Sequence, residues 1–217
     1  MKEINIIDFG LMGKQISALF YLLGYEIGVY NKSKLNIYEF EKQIKLLQRK
    51  IDFSNFNAGK INIYQHIEDL KNSLTIESLN EDLNLKKEIM QILRDNNIVF
   101  SNSSSLSMDD LNCDFIHFFN TIYIKLIELC GSNLERFTPL KDLKKLGFHI
   151  ICSKGNRGAL ANLLLFNEIS SFFKIIEKYD YNFKECQTVY DLLYEKRNLL
   201  NIIDTIGIEL CNKICKN

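Results

Sequence analysis

The sequence predicts an α/β protein: a mostly parallel sheet with crossover helices, followed by a small all-α region. Three observations carry that expectation. Short β-type runs alternate with helical periods through the first half of the chain. The first run leads straight into a glycine-bearing turn and then a helical period. Past Gly155 the β-type runs stop, and only apolar residues at helical spacing continue. In order, the expected strands are Glu3–Ile7, Tyr25–Tyr30, Ser73–Glu77, Asn97–Ser101, Asp114–Phe119, Ile124–Leu129 and Phe148–Cys152. Helices are expected over Met12–Leu23, about Leu35–Arg49 and Leu83–Leu93, and Pro139 marks a further helix start. Helical spacing then runs through Leu160–Leu165, Ile169–Ile176 and Ile202–Cys215. The change of pattern puts a boundary in Ser153–Arg157, giving domains 1–154 and 155–217.

Composition narrows the class. With 47% apolar and 25% charged residues, the 217-residue chain can bury a core and is not of disordered type. Lys plus Arg equals Asp plus Glu at 27 each, so no global field favours nucleic acid or an anionic membrane. The N-terminus lacks signal-peptide features, and no apolar run approaches the roughly 18 residues of a spanning helix. The six cysteines are dispersed and form no zinc-type pair of pairs, so buried, reduced thiols and no metal are expected. A cytoplasmic location follows from that expectation.

The opening turn reads Asp8-Phe9-Gly10-Leu11-Met12-Gly13. A strand–turn–helix of this kind aims backbone N–H groups and a helix dipole at a pyrophosphate. Gly10 would permit close approach of the ligand and Gly13 would let helix pack on strand, with Leu11 and Met12 between them. Asp8 stands where the G-x-G-x-x-G pattern has its first glycine, and a carboxylate near pyrophosphate costs roughly 1 to 4 kcal/mol. The second strand ends at Asn31, where such Rossmann-type folds commonly carry an acid for the adenosine ribose. Asn31 can still hydrogen-bond a ribose hydroxyl, and with Lys32 and Lys34 beside it the site accommodates NADP as well as NAD. Taken alone, the half-motif is equally a glycine turn in a nucleotide-free domain.

Three further stretches are more specific. They are Thr75-Ile-Glu77-Ser-Leu-Asn-Glu81 through Lys86; Ser101-Asn-Ser-Ser104-Ser-Leu with His117-Phe-Phe-Asn120 and Lys125-Leu-Ile-Glu128; and Gly158-Ala-Leu-Ala-Asn162 through Leu165. In this order and near this spacing, with the opening turn and with Leu200-Asn-Ile-Ile-Asp204-Thr-Ile-Gly207, the chain resembles the 3-hydroxyacyl-CoA dehydrogenases along essentially its whole length. The resemblance implies an NAD-dependent oxidoreductase acting on an acyl-CoA or acyl-carrier thioester, with a homodimer as its assembly. It implies that Glu81 and Lys86 contact the cofactor, that Ser104 lies near substrate and nicotinamide, and that His117 is the catalytic base. Glu128 would be the acidic partner of His117, and Asn162 would lie near the reacting oxygen. Besides Asp8 and Asn31, the chain departs from the pattern in four places. The His117–Glu128 interval is one residue shorter, Thr121 replaces a proline, Leu163 replaces an arginine, and the helical region ends about one helix after Gly207.

These residue types suit the chemistry. Oxidising a 3-hydroxyl requires a base of near-neutral pKa, and a carboxylate beside a histidine fixes one tautomer and stabilises the charged ring. Ser104 and Asn162 would hydrogen-bond the reacting oxygen and the cofactor amide. The structural alternatives are concrete. His117 is equally a core histidine, Glu81 and Lys86 a helix start, Ser103–Ser105 a capping loop, and Asn162 an exposed helix residue. Function therefore divides between an active dehydrogenase and a non-catalytic nucleotide- or acyl-binding relative, favoured by Asp8, Asn31 and the short C-terminus. A 6-phosphogluconate-like hydroxyacid dehydrogenase ranks below both, because Leu160–Asn167 carries no lysine.

Overall fold

A computed structural model describes residues 2–32, 36–93, 98–119, 121–122, 124–153, 159–194 and 199–215. The chain divides into two compact units, Met1–Ala159 and Leu160–Asn217. In the first, β1 (Glu3–Ile7) leads into α1 (Leu11–Leu22), β2 (Glu26–Tyr30), α2 (Ile37–Lys50) and β3 (Lys60–Tyr64). β4 (Leu74–Glu77), α3 (Leu83–Leu93), β5 (Ile98–Ser101), α4 (Met108–Leu111) and β6 (Asp114–Phe118) follow, then β7 (Leu126–Cys130), α5 (Leu140–Lys145) and β8 (His149–Ser153). The strands form one eight-stranded sheet in the order β3-β2-β1-β4-β5-β6-β7-β8. The first six strands are parallel, β7 runs antiparallel to β6, and β8 is parallel to β7. The α/β expectation, a mostly parallel sheet of Rossmann type, is therefore met.

Burial explains why these segments are strands. A parallel sheet covered on both faces needs continuous apolar runs rather than alternation. Ile4, Ile6, Ile7, Ile27, Val29 and Ile76 are all fully buried. The main core joins all of these but Ile7 to Ile16, Leu19 and Phe20 of α1 and to Ile127 and Leu129 of β7, while Ile7 packs in a second cluster with Ile67, Leu70, Ile89 and Leu93. β3 was not expected, and its composition shows why. As an edge strand, Lys-Ile-Asn-Ile-Tyr is only half covered and carries too little apolar signal to stand out.

Helix ends follow local chemistry. Asn36 caps α2 by accepting from the Glu39 N–H at 3.2 Å. Ser107 and Asp110 form a capping box at α4. Pro139 begins α5, as expected. In the first unit, boundaries differ from expectation by one or two residues, as frayed ends do; the expected start residues Leu35 and Asn97 lie outside the described residues.

The second unit contains α6 (Leu160–Tyr179), α7 (Phe183–Leu193), α8 (Leu199–Ile206) and α9 (Ile208–Cys215). Its own core holds Phe166, Ile169, Phe172, Tyr190, Leu199, Ile203 and Cys211. The single helical period expected over Ile202–Cys215 is split at Gly207, which adopts φ +95°. The linker expected at Ser153–Arg157 begins on the last residue of β8, and residues 154–157 lie outside the described residues. Of the cysteines expected to be buried, Cys130 and Cys211 are; Cys152 and Cys215 are exposed, on an edge strand and a terminal helix. Among the described residues no helix is long and apolar enough to cross a membrane.

Candidate active site

The chain reverses direction across the sheet between β1 and β4: β2 and β3 lie on one side of β1, and β4 to β8 on the other. Ligands of open α/β sheets bind at the carboxyl ends of strands beside such a switch point. The glycine turn is there. α1 has no side-chain cap and no acid in its first turn, so its N-terminal amides and dipole remain available to an anion. Gly10 and Leu11 are exposed and Met12 half-buried, while Gly13 is buried. A Cβ on Gly13 would sit 2.1 Å from the Asp8 carbonyl oxygen and 2.9 Å from Ser78 Oγ, so only glycine lets α1 lie this close to the ends of β1 and β4. Gly13→Ala is expected to push α1 off the sheet and weaken dinucleotide binding by about tenfold or more. Titration of NADH fluorescence checks this, and unchanged affinity would disprove the packing argument.

Asp8 sits at φ +74°, a left-handed backbone that glycine adopts without strain. Its carboxylate Oδ2 accepts from the Gly10 N–H at 3.0 Å. Asn31, at the end of β2, accepts from the Phe9 N–H at 3.0 Å and so braces the turn from the neighbouring strand. The uncapped helix, the exposed Gly10 and the tight Gly13 fit a dinucleotide; Asp8 is the one feature that opposes it.

The second cluster lies at the ends of β4 and β5. Glu77, the last residue of β4, is completely buried. Its Oε1 accepts from Lys86 Nζ at 2.6 Å and from the Leu79 N–H at 2.5 Å, while Oε2 accepts from Ser101 Oγ at 2.5 Å. Lys86 also donates to the Leu79 carbonyl at 2.9 Å, and its side chain is fully buried. The lysine expected at the cofactor is thus engaged inside the protein. The helix-start role weighed for Glu81 falls instead to Asp82, which accepts from the Asn84 and Leu85 amides. Glu81 accepts from Ser103 Oγ at 2.6 Å, the Ser104 N–H at 2.6 Å and Ser105 Oγ at 3.2 Å. The serine run is therefore a loop folded around one carboxylate; the residue capping α4 is Ser107. Asn102 adds a brace: its Oδ1 accepts from the Phe118 N–H at 2.9 Å, tying β5 to β6.

Beside that loop stand His117 and Glu128, directly opposite each other in the antiparallel β6–β7 register. Cross-strand partners place their Cβ atoms about 5 Å apart on one face of the sheet. The interval that is one residue shorter than the family pattern therefore still closes into this register. His117 is 7% exposed and Glu128 1% exposed. Burial lowers the His117 pKa to about 4, against the opposing pull of Glu128, of Glu81 and of backbone groups of Ser103 and Asn102. The ring meets Phe119 edge-to-face at 4.4 Å between centroids. Cys130 donates to Glu128 Oε1 at 3.6 Å. Thr121, where the family pattern has proline, donates to Gln15 of α1 at 3.4 Å and so links the loop after β6 to the first helix. Asn120 lies outside the described residues.

The first unit therefore assembles Gly10, Leu11, Met12, Gly13 and Asn31 at one switch point, and Glu81, Ser104, His117 and Glu128 along the adjoining strand ends. Asn162 lies on α6, in the second unit. Sequence reading did not single out Glu77, Ser101 and Asn102 as the residues that brace the serine loop and β6. The available signal was an acid ending a short β-type run, which a buried strand tolerates only when the charge is paired.

Residues 3–140 match the family description "3-hydroxyacyl-CoA dehydrogenase, NAD binding domain". A 3-hydroxybutyryl-CoA dehydrogenase from Clostridioides difficile is 27% identical over 157 residues, covering 61% of this chain and 55% of that protein. The chain thus aligns with little more than half the length of that relative. M. tuberculosis FadB2 superposes with a TM-score of 0.81 at 19% identity, over 99% of this chain and 87% of its own. The (S)-3-hydroxybutyryl-CoA dehydrogenase PaaH1 from Ralstonia eutropha gives 0.80 at 20% identity, over 99% and 85%. At these identities the structures speak for the fold, and the matched domain speaks for descent: the chain belongs to the 3-hydroxyacyl-CoA dehydrogenase family, and its first unit is that family's NAD-binding domain.

Proposed function

We propose that the chain interconverts 3-hydroxyacyl and 3-ketoacyl thioesters, carried on CoA or an acyl carrier, using His117 as acid/base and Glu128 as its partner. The observation that carries this reading is the direct register of His117 with Glu128, next to a serine loop held by Glu81. Bound NAD supplies the hydride acceptor. A neutral His117 takes the hydroxyl proton, and Glu128 stabilises the imidazolium that forms. In the reverse direction the imidazolium returns that proton to the ketone oxygen. Ser104, on the loop that Glu81 fixes, hydrogen-bonds the reacting oxygen. Residues 1–154 hold the dinucleotide in this scheme, and the assembly is a homodimer. Lys86 and Glu77 act from below, by fixing Ser101 at the root of the loop.

The direct test mixes the protein with NADH or NADPH and a 3-ketoacyl thioester and follows nicotinamide absorbance. Consumption of either cofactor supports the reading; binding without turnover would leave a non-catalytic relative. One observation favours that second reading, the Asp8 carboxylate in the phosphate turn. Its distinguishing outcome is dinucleotide or acyl-thioester binding with no absorbance change.

A further inference from the structure

Two consecutive amides of the phosphate turn are already satisfied by side chains of this chain. The Phe9 N–H is bonded to Asn31 and the Gly10 N–H to Asp8. The Asp8 contact carries a negative charge, and it is held despite the left-handed backbone of a non-glycine residue. The Asp8 main chain cannot easily turn away. Its N–H is bonded to the Tyr30 carbonyl at 2.9 Å and its carbonyl lies 3.4 Å from Ser78 Oγ. A Cβ placed on Gly10 would be 2.8 Å from Asp8 Oδ2, so the carboxylate lies over the face of Gly10 that a close-approaching ligand needs.

We propose that Asp8 is a resident anion in the phosphate-binding turn, a built-in competitor that a dinucleotide must displace from Gly10 in order to bind. Asp8 thereby sets the affinity for NAD without touching the reacting atoms. The inference rests on the turn being the cofactor site. A carboxylate and a pyrophosphate about 4 Å apart repel, and both seek the same N–H donor. Displacing Asp8 leaves its charge beside the ligand, so the repulsion persists even after the side chain rotates.

The test measures dissociation constants of the full chain and of Asp8→Gly, Asp8→Asn and Asp8→Ala by calorimetric or fluorescence titration with NADH. Adenosine, which lacks phosphate, serves as a second probe. Asp8→Gly removes both the charge and the strained backbone, and is expected to tighten NADH binding by about tenfold. Asp8→Asn keeps a bond acceptor for Gly10 but no charge, and is expected to give a smaller gain. Asp8→Ala separates charge from strain, because it retains the left-handed backbone; a gain near that of glycine assigns the effect to charge. Adenosine affinity should stay constant across the series. Unchanged NADH affinity in both Asp8→Gly and Asp8→Asn, or an equal gain for adenosine, overturns the proposal. Failure of every variant to bind NADH overturns it together with the cofactor reading of the turn, whereas equal binding by all overturns the proposal alone.

Discussion

His117→Gln is expected to lower kcat for alcohol oxidation by about a thousandfold while leaving the NADH dissociation constant within about twofold of the parent. Glutamine fills similar space and hydrogen-bonds, but it cannot take a proton from an alcohol near neutral pH. The same side chain predicts an acid limb. Burial holds His117 neutral until pH falls to about 4, whereas an unfolded histidine titrates near 6.5. Two consequences follow with the same sign. The base form is fully populated at pH 7, so kcat/KM for oxidation should stay level well below the pH at which a free histidine would lose activity. Folding should weaken on acidification, because between pH 6.5 and about 4 the unfolded chain binds a proton that the folded chain refuses. The contribution is complete above pH 6.5, declines as pH falls through that window, and amounts to about 3 kcal/mol. His117→Gln should remove that part of the acid sensitivity. Urea unfolding at pH 7 and pH 5, for parent and variant, checks it. Equal pH dependence of the two proteins would remove the lowered pKa of His117, and full activity of the variant would take His117 out of the mechanism.

The legible parts of the molecule are those where one residue type answers one physical demand. Isoleucine-rich runs such as Ile4 to Ile7 mark strands covered on both faces, and Gly10 and Gly13 mark a turn that needs bare backbone. His117 and Glu128 were legible through the resemblance, although their facing register is a property of the sheet that spacing alone does not give. β3 escaped because an edge strand needs only half an apolar pattern. Gly207 stands in a family-like signature, and periodicity does not mark it as the break between two helices, because a positive φ leaves no trace there. The harder loss was the polar interior. Glu77, Ser101 and Lys86 are separated along the chain and become one cluster only when β4, β5 and α3 are packed together. Lys86 was accordingly expected to face a ligand, and the structure gives its ammonium to Glu77 instead.

That placement makes Lys86→Met the variant with the largest expected effect on stability. A buried ion pair gains little over an apolar replacement of both partners, but removing one partner leaves a charge with no water and no counter-ion, at a cost of about 3 to 5 kcal/mol. For the first unit this corresponds to a fall in Tm of about 10 °C. The loss should not stop at stability. Glu77 bonds Ser101 Oγ, and Ser101 Oγ in turn accepts from the Ser103 N–H at 3.2 Å, so an uncompensated Glu77 disturbs the loop that presents Ser104. Pairing Lys86→Met with Glu77→Gln discharges the site. The double variant is expected to recover at least about half of the lost Tm, since the neutral amide can still meet Ser101 and the Leu79 amide region. A lysine that serves the cofactor directly gives the opposite pattern: Tm unchanged in Lys86→Met, NADH affinity reduced, and no rescue by Glu77→Gln. Calorimetry of the three variants with and without NADH separates the two, because only an interior pair couples Lys86 to Glu77 in the absence of any ligand.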